Sequence, residues 1–177
     1  YQLPSMNLIN GKELATKILA DTKNQLEQND TKPSLAIIFV GDDQASKIYV
    51  RLKQKTCAQL GIDCHVYLFS TDAAQEKIID AINFLNCDKD VTGILVQLPL
   101  PNGFDETKIL NTISPAKDVD ALTSATLVIS PLAQSIAELI KSTNEQLSDK
   151  KIVVLANHSA ICNSLKTLFP TNHVEYV

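Results

Sequence analysis

The run SLAIIFV at residues 34–40, entered from Pro33 and left at Gly41, is almost wholly apolar on both of its alternating faces. A strand with one wet face alternates polar and apolar residues. This one does not, so it belongs inside a sheet covered on both sides. Residues 92–97 (TGILVQ) repeat that character, and 63–69 read as a further strand. Between and before the strands, apolar residues recur at helical spacing over 11–28 (Leu14, Ile18, Leu19, Leu26), 45–60 and 72–85. Helices alternating with buried strands predict right-handed βαβ units, hence an α/β fold with a parallel sheet and helices on both faces.

The Pro- and Gly-rich break PLPNG at residues 99–103 interrupts this series. After it the spacing predicts a short helix over 106–112, a loop over 114–130 and a helix over 132–141. A polar connector, 142–149, leads to a strand at 151–156, a helix at 159–169 and a strand at 173–177. One strand–helix–strand beginning is too small to close a sheet by itself. It is expected to be an incomplete Rossmann-like unit that packs on the first domain or continues in further chain. The chain of 177 residues thus divides into a domain over 6–141 and a partial one over 142–177. Residues 1–5 precede Met6, whose MNLING makes a natural start. They are read as left over from expression and set aside.

The net charge of −4, with basic residues interspersed among acidic ones, provides no basic stripe to follow a phosphate backbone, so nucleic acid is not an expected partner. Cys57, Cys64, Cys87 and Cys162 stand singly among apolar residues, without metal-site pairing or disulfide density. They read as reduced core residues. No apolar run approaches the roughly 18 residues that span a bilayer, and no basic-then-apolar leader opens the chain. A cytoplasmic protein with no membrane partner is expected.

On the helix over 45–60, 100° steps from Tyr49 place Lys53, Thr56, Cys57 and Leu60 on one side. Lys53 interrupts that inward face. An ammonium is costly to bury, and burial lowers a lysine's pKa, which suits it to proton transfer near neutral pH. The competing reading of Lys53 is a side chain that snorkels or pairs with an acidic neighbour. Ligands of open parallel sheets bind beyond the carboxyl ends of the strands, where Gln97 and the start of the Tyr49 helix would converge. Asp120, taken alone, reads as a turn or cap residue.

Three strings carry a specific resemblance. VGDDQASKIYVRLKQKTCAQLGI (40–62), GILVQLPLP (93–101) and PAKDVDALTS (115–124) are similar, in order, to the signatures of the methylenetetrahydrofolate dehydrogenase/methenyltetrahydrofolate cyclohydrolase family. The resemblance covers about residues 6–124. It implies that Lys53 moves protons in hydrating the methenyl carbon, that Tyr49 stacks on the folate, that Gln97 holds Lys53, and that Asp120 accepts hydrogen bonds from the pterin. Ser46, Val96, Leu98 and Pro99 would line the pocket with them. It further implies NADP, or NAD, as cofactor, tetrahydrofolate derivatives as substrates, and a homodimer.

Departures fall on the redox side. Ala121 stands where the family has glycine after the aspartate, and the segment after Ser124 is shorter than the family's. At the nucleotide turn, Ala156 and Cys162 replace glycines that let backbone approach phosphate. That leaves Asn157, His158 and Ser159 as the candidate cofactor contacts. The rest of a nucleotide domain is expected beyond Val177. Three readings follow: the bifunctional enzyme, a cyclohydrolase-only remnant, and a non-catalytic folate-binding or dimerising module.

Overall fold

The computed structural model describes residues 9–30, 32–155 and 160–177. The candidate cofactor residues Asn157, His158 and Ser159 lie outside the described residues, as do residues 1–5. The elements in order are α1 (Gly11–Gln28), β1 (Ser34–Val40), α2 (Gln44–Leu60), β2 (Asp63–Phe69), α3 (Gln75–Cys87), β3 (Gly93–Val96), α4 (Glu106–Asn111), α5 (Pro131–Ser142), β4 (Lys151–Val154), α6 (Ala160–Leu168) and β5 (His173–Tyr176). Contacts group them into two units, Thr22–Val128 and Ile129–Val177, the second taking in the start of the chain through Asp21.

In the Thr22–Val128 unit the sheet order is β2-β1-β3, all parallel. Strand parity divides the core. Ala36, Ile38 and Val40 of β1, with Ile94 and Val96 of β3, pack against Ile78, Ile82 and Leu85 of α3 and Ile109 and Leu110 of α4. Ile37, Phe39 and Leu95 point the other way, against Val50 of α2. Each Ile, Leu, Val or Phe among them contributes about 1.5–3 kcal/mol by leaving water. Coverage on both faces is therefore what makes β1, a strand with no wet face, stable in the sheet.

Helix α2 is bounded by side-chain chemistry. Asp43 accepts a hydrogen bond from the Ser46 N–H at 2.8 Å. At the other end Gly61 takes φ 75 and returns its N–H to the carbonyls of Ala58 and Cys57, a left-handed cap that glycine adopts without a Cβ penalty. Helix α3 starts at Gln75 and not at residue 72, because Ala73 N–H closes a turn on the Ser70 carbonyl at 3.1 Å.

In the second unit β4 and β5 are parallel. Ala133 and Ala137 of α5 are buried with Val154, Leu165, Phe169 and Val174. The sequence alone assigns α5 to the preceding domain. Its small inward residues instead fit it against α6 and β4, so the division falls at 128/129, where the sequence places it at 141/142. Among the described residues, no helix is long and apolar enough to cross a membrane.

Candidate active site

Parity also aims the site. Leu95 of β3 faces α2, and the ladder runs one residue past the strand, with the Gln97 N–H on the Ile38 carbonyl at 2.9 Å. Gln97 therefore falls on the α2 side. There Lys53 Nζ donates to Gln97 Oε1 at 2.9 Å. The amide is held by its other end, since Gln97 Nε2 donates to the Leu98 carbonyl at 2.7 Å. An amide so pinned offers its oxygen to the lysine and cannot turn its NH₂ there without losing both bonds.

The inward stripe of α2 differs from the one its spacing predicts. Ser46, Val50 and Cys57 are buried, Lys53, Thr56 and Leu60 lie half-buried at its margin, and Tyr49 is 62 % exposed. The helix turns Val50 toward the β1 core, which carries Tyr49, one residue back, out to solvent. Lys53 is thus close to the core without being enclosed by it, and the Tyr49 ring one turn earlier presents an open face. Of the other expected lining residues, Ser46 and Val96 are buried, Leu98 is half-buried and Pro99, which follows a cis peptide bond, is exposed.

The third component arrives on the loop after α4. The Ile94 N–H donates to the Lys117 carbonyl at 2.7 Å and Asp118 pairs with Ile94, so this loop runs briefly beside β3 as a further parallel segment. The contact is close. A Cβ on Gly93 would lie 2.6 Å from Val119 Cγ1, which explains a glycine in an otherwise bulky strand. Lys117 Nζ fixes the loop from the other side by donating to the carbonyls of Leu85 and Asp88 at the end of α3.

This places Asp120 within electrostatic reach of Lys53. Burial pushes the Asp120 carboxyl above its ordinary range and the Asp118 charge adds to that, while Lys53 pulls it down without prevailing. Asp118 behaves oppositely. Burial would raise it, but hydrogen bonds from Thr123 and the Asp120 backbone overcome that and hold it low. Two carboxylates two residues apart are thereby driven in opposite directions, a pattern associated with functional sites. Among the described residues no group of three or more His, Cys, Asp or Glu side chains could hold a metal ion.

The structure therefore brings Lys53, Gln97 and Asp120 together, with Tyr49 adjacent on α2. Sequence reasoning assigns the turn role to Asp120, whereas Asp118 takes it. It also passes over Thr123 and the Gly93–Val119 contact. The spacing Asp-x-Asp-x-x-Thr holds a signal for the first two, because aspartate side chains accept from backbone N–H groups two residues on.

Residues 9–120 match the family model described as tetrahydrofolate dehydrogenase/cyclohydrolase, catalytic domain. The bifunctional protein FolD of Acetivibrio thermocellus is 39% identical over 166 residues, which is 87% of this chain and 58% of that protein. The bifunctional FolD methylenetetrahydrofolate dehydrogenase/cyclohydrolase of Campylobacter jejuni has a similar structure, with a TM-score of 0.84 at 32% identity over 97% of this chain and 66% of that one. The Trypanosoma brucei methylenetetrahydrofolate dehydrogenase-cyclohydrolase, solved with NADP cofactor and inhibitor, gives a TM-score of 0.86 at 25% identity over 98% and 65%. The chain thus spans 58% of the length of the Acetivibrio thermocellus FolD protein.

Proposed function

The chain belongs to the tetrahydrofolate dehydrogenase/cyclohydrolase family, on the match over residues 9–120, and from that premise we propose that it oxidises 5,10-methylenetetrahydrofolate with NADP and hydrolyses the 5,10-methenyl product to 10-formyltetrahydrofolate. The observation that carries this reading is the Lys53 Nζ to Gln97 Oε1 bond of 2.9 Å. It holds a proton-transfer group at a carboxyl-end cleft, beside a half-buried carboxylate and an open aromatic ring.

In this reading Tyr49 stacks on the folate and Asp120 accepts hydrogen bonds from the pterin, orienting it over Lys53. Ser46, Leu98 and Pro99 complete the cleft, whereas Val96 packs into the core against α3 and α4, on the other face of the sheet from Lys53. In the hydrolysis a water oxygen bonds to the methenyl carbon, and Lys53 takes the proton that the water gives up. The carbon–N5 bond then breaks and N5 is left protonated. One water is consumed and one proton released, because the methenyl cation becomes a neutral formyl product. Gln97 contributes by keeping Nζ at one place through both proton movements.

NADP, when bound, supplies the hydride acceptor. The parallel β4–α6–β5 arrangement fits the opening of a dinucleotide-binding unit, and Asn157, His158 and Ser159, just before α6, would hold the phosphates. A cytoplasmic homodimer completes the reading, supported by the family resemblance.

The test is a pair of assays on this chain, NADP reduction with methylenetetrahydrofolate and loss of methenyltetrahydrofolate. Both above background support the bifunctional reading. Hydrolysis alone reduces it to a cyclohydrolase, and binding of folate with neither reaction overturns it.

A further inference from the structure

We propose that Asp118 is a positioning residue of this site, clamped by Thr123, and that the pair sets where Asp120 stands relative to Lys53. The proposal rests on the reading of Asp120 as the pterin anchor.

Asp118 is 2 % exposed, and among the described residues no lysine or arginine pairs with it. A buried carboxylate in that situation must be satisfied by hydrogen bonds. Its Oδ1 accepts from the N–H of Asp120 at 3.2 Å and of Leu122 at 3.4 Å. Its Oδ2 accepts from the Thr123 N–H at 3.0 Å and the Thr123 hydroxyl at 2.8 Å. Residues 120–123 are therefore wrapped around one side chain.

Ala121 makes the wrap geometrically feasible, since its φ of 58 reverses the backbone between the two donors that share Oδ1. The other end of the wrap is fixed to the sheet through Ile94 and Lys117. Asp120 thus hangs between a sheet contact and a carboxylate cage, and the same β3 that bears Ile94 leads into Gln97. A neutral Asn at 118 would turn an NH₂ toward one pair of donors. Only a carboxylate offers acceptors in both directions, and it does so despite repelling Asp120. A loop that merely needed closing would gain from avoiding that repulsion.

Removing Asp118 outright strips four hydrogen bonds and confounds folding with positioning. Thr123→Val removes only the hydroxyl. The experiment is calorimetric titration of this chain with tetrahydrofolate, for the parent, Thr123→Val, Thr123→Ser, Asp120→Ala and the double variant Thr123→Val/Asp120→Ala. Thr123→Val is expected to bind roughly tenfold more weakly, Thr123→Ser to recover the parent affinity, and the double variant to be no weaker than Asp120→Ala, because the clamp then has nothing to place. Parent-like binding by Thr123→Val, or a loss that adds in full to that of Asp120→Ala, overturns the positioning role alone. Parent-like binding by Asp120→Ala, or none by the parent, overturns the functional reading and this proposal with it.

Discussion

Lys53 Nζ donates to Gln97 Oε1 at 2.9 Å across a separation of 44 residues, while the same glutamine amide donates to its neighbour's carbonyl, Leu98, at 2.7 Å. The glutamine is therefore an acceptor for the lysine and a donor to the backbone at once. Gln97→Glu breaks that division. A carboxylate cannot donate to the Leu98 carbonyl, and it ties the Lys53 ammonium into an ion pair. We expect methenyltetrahydrofolate hydrolysis to fall about 100-fold, the scale of a lost proton-transfer contribution, with folate affinity changed by no more than about threefold. Steady-state hydrolysis beside a binding titration checks this; equal losses in both would assign Gln97 to binding.

The two loop aspartates should give stability profiles of opposite sign. Asp118 is held below its ordinary value of 3.8, so its stabilisation is complete above that pH and is lost as the pH falls through its lowered value. Asp118→Asn should cost about 1–3 kcal/mol at neutral pH and converge on the parent in strong acid. Asp120 is raised above 3.8 by burial, so its ionisation costs stability, a cost absent below 3.8 and fully present above its raised value. Asp120→Asn should melt higher than the parent at neutral pH and match it below 3.8. Thermal melts across pH decide it, and a destabilised Asp120→Asn would be the contrary result.

Ala121 occupies a left-handed conformation, φ 58, where a Cβ costs roughly 1–2 kcal/mol. Part of that is offset by the greater unfolded-state freedom of glycine. Ala121→Gly should therefore stabilise the chain by about 0.5–1 kcal/mol and raise Tm by roughly 1–4 °C. An unchanged or lower Tm would show that the loop accommodates alanine by other means.

Gly93 lies under Val119, with 2.6 Å between the position of an added Cβ and Val119 Cγ1. Gly93→Ala should cost about 1–3 kcal/mol by overpacking and push the Asp118–Asp120 segment off β3, reducing hydrolysis as well as stability. Val119 is 38 % exposed, so Val119→Ala in the same chain has room to relieve the clash. Recovery of Tm in the double variant tests the contact, and its absence would place the strain elsewhere.

The framework was largely legible because hydrophobic periodicity decides it. Ser34–Val40 and Asp63–Phe69 form strands at the expected residues, since one run is bounded by Pro33 and Gly41 and the other follows the Gly61 cap. The approach of Gln97 to Lys53 could be anticipated from strand ends alone. What the spacing misjudged was the rotation of α2, because Tyr49 and Val50 both suit an inward face and only the β1 core selects Val50. The aspartates of the loop were equally opaque. Asp118 and Asp120 are interchangeable as turn formers in sequence, and the choice between them is made by Ile94 and Thr123, which are distant from or beyond the turn. The residues nearest the nucleotide turn fall outside the described part of the chain.

The most direct measurement is the decay of methenyltetrahydrofolate absorbance with this chain and with Lys53→Met, which keeps the length of the side chain but removes its ability to carry a proton or to donate to Gln97. The parent should hydrolyse it above the uncatalysed rate, and the variant should lose about 100-fold or more, down to that background, with tetrahydrofolate still bound. Equal hydrolysis by the two chains would rule out Lys53 as the proton-transfer group, because the proton would then be moving without it.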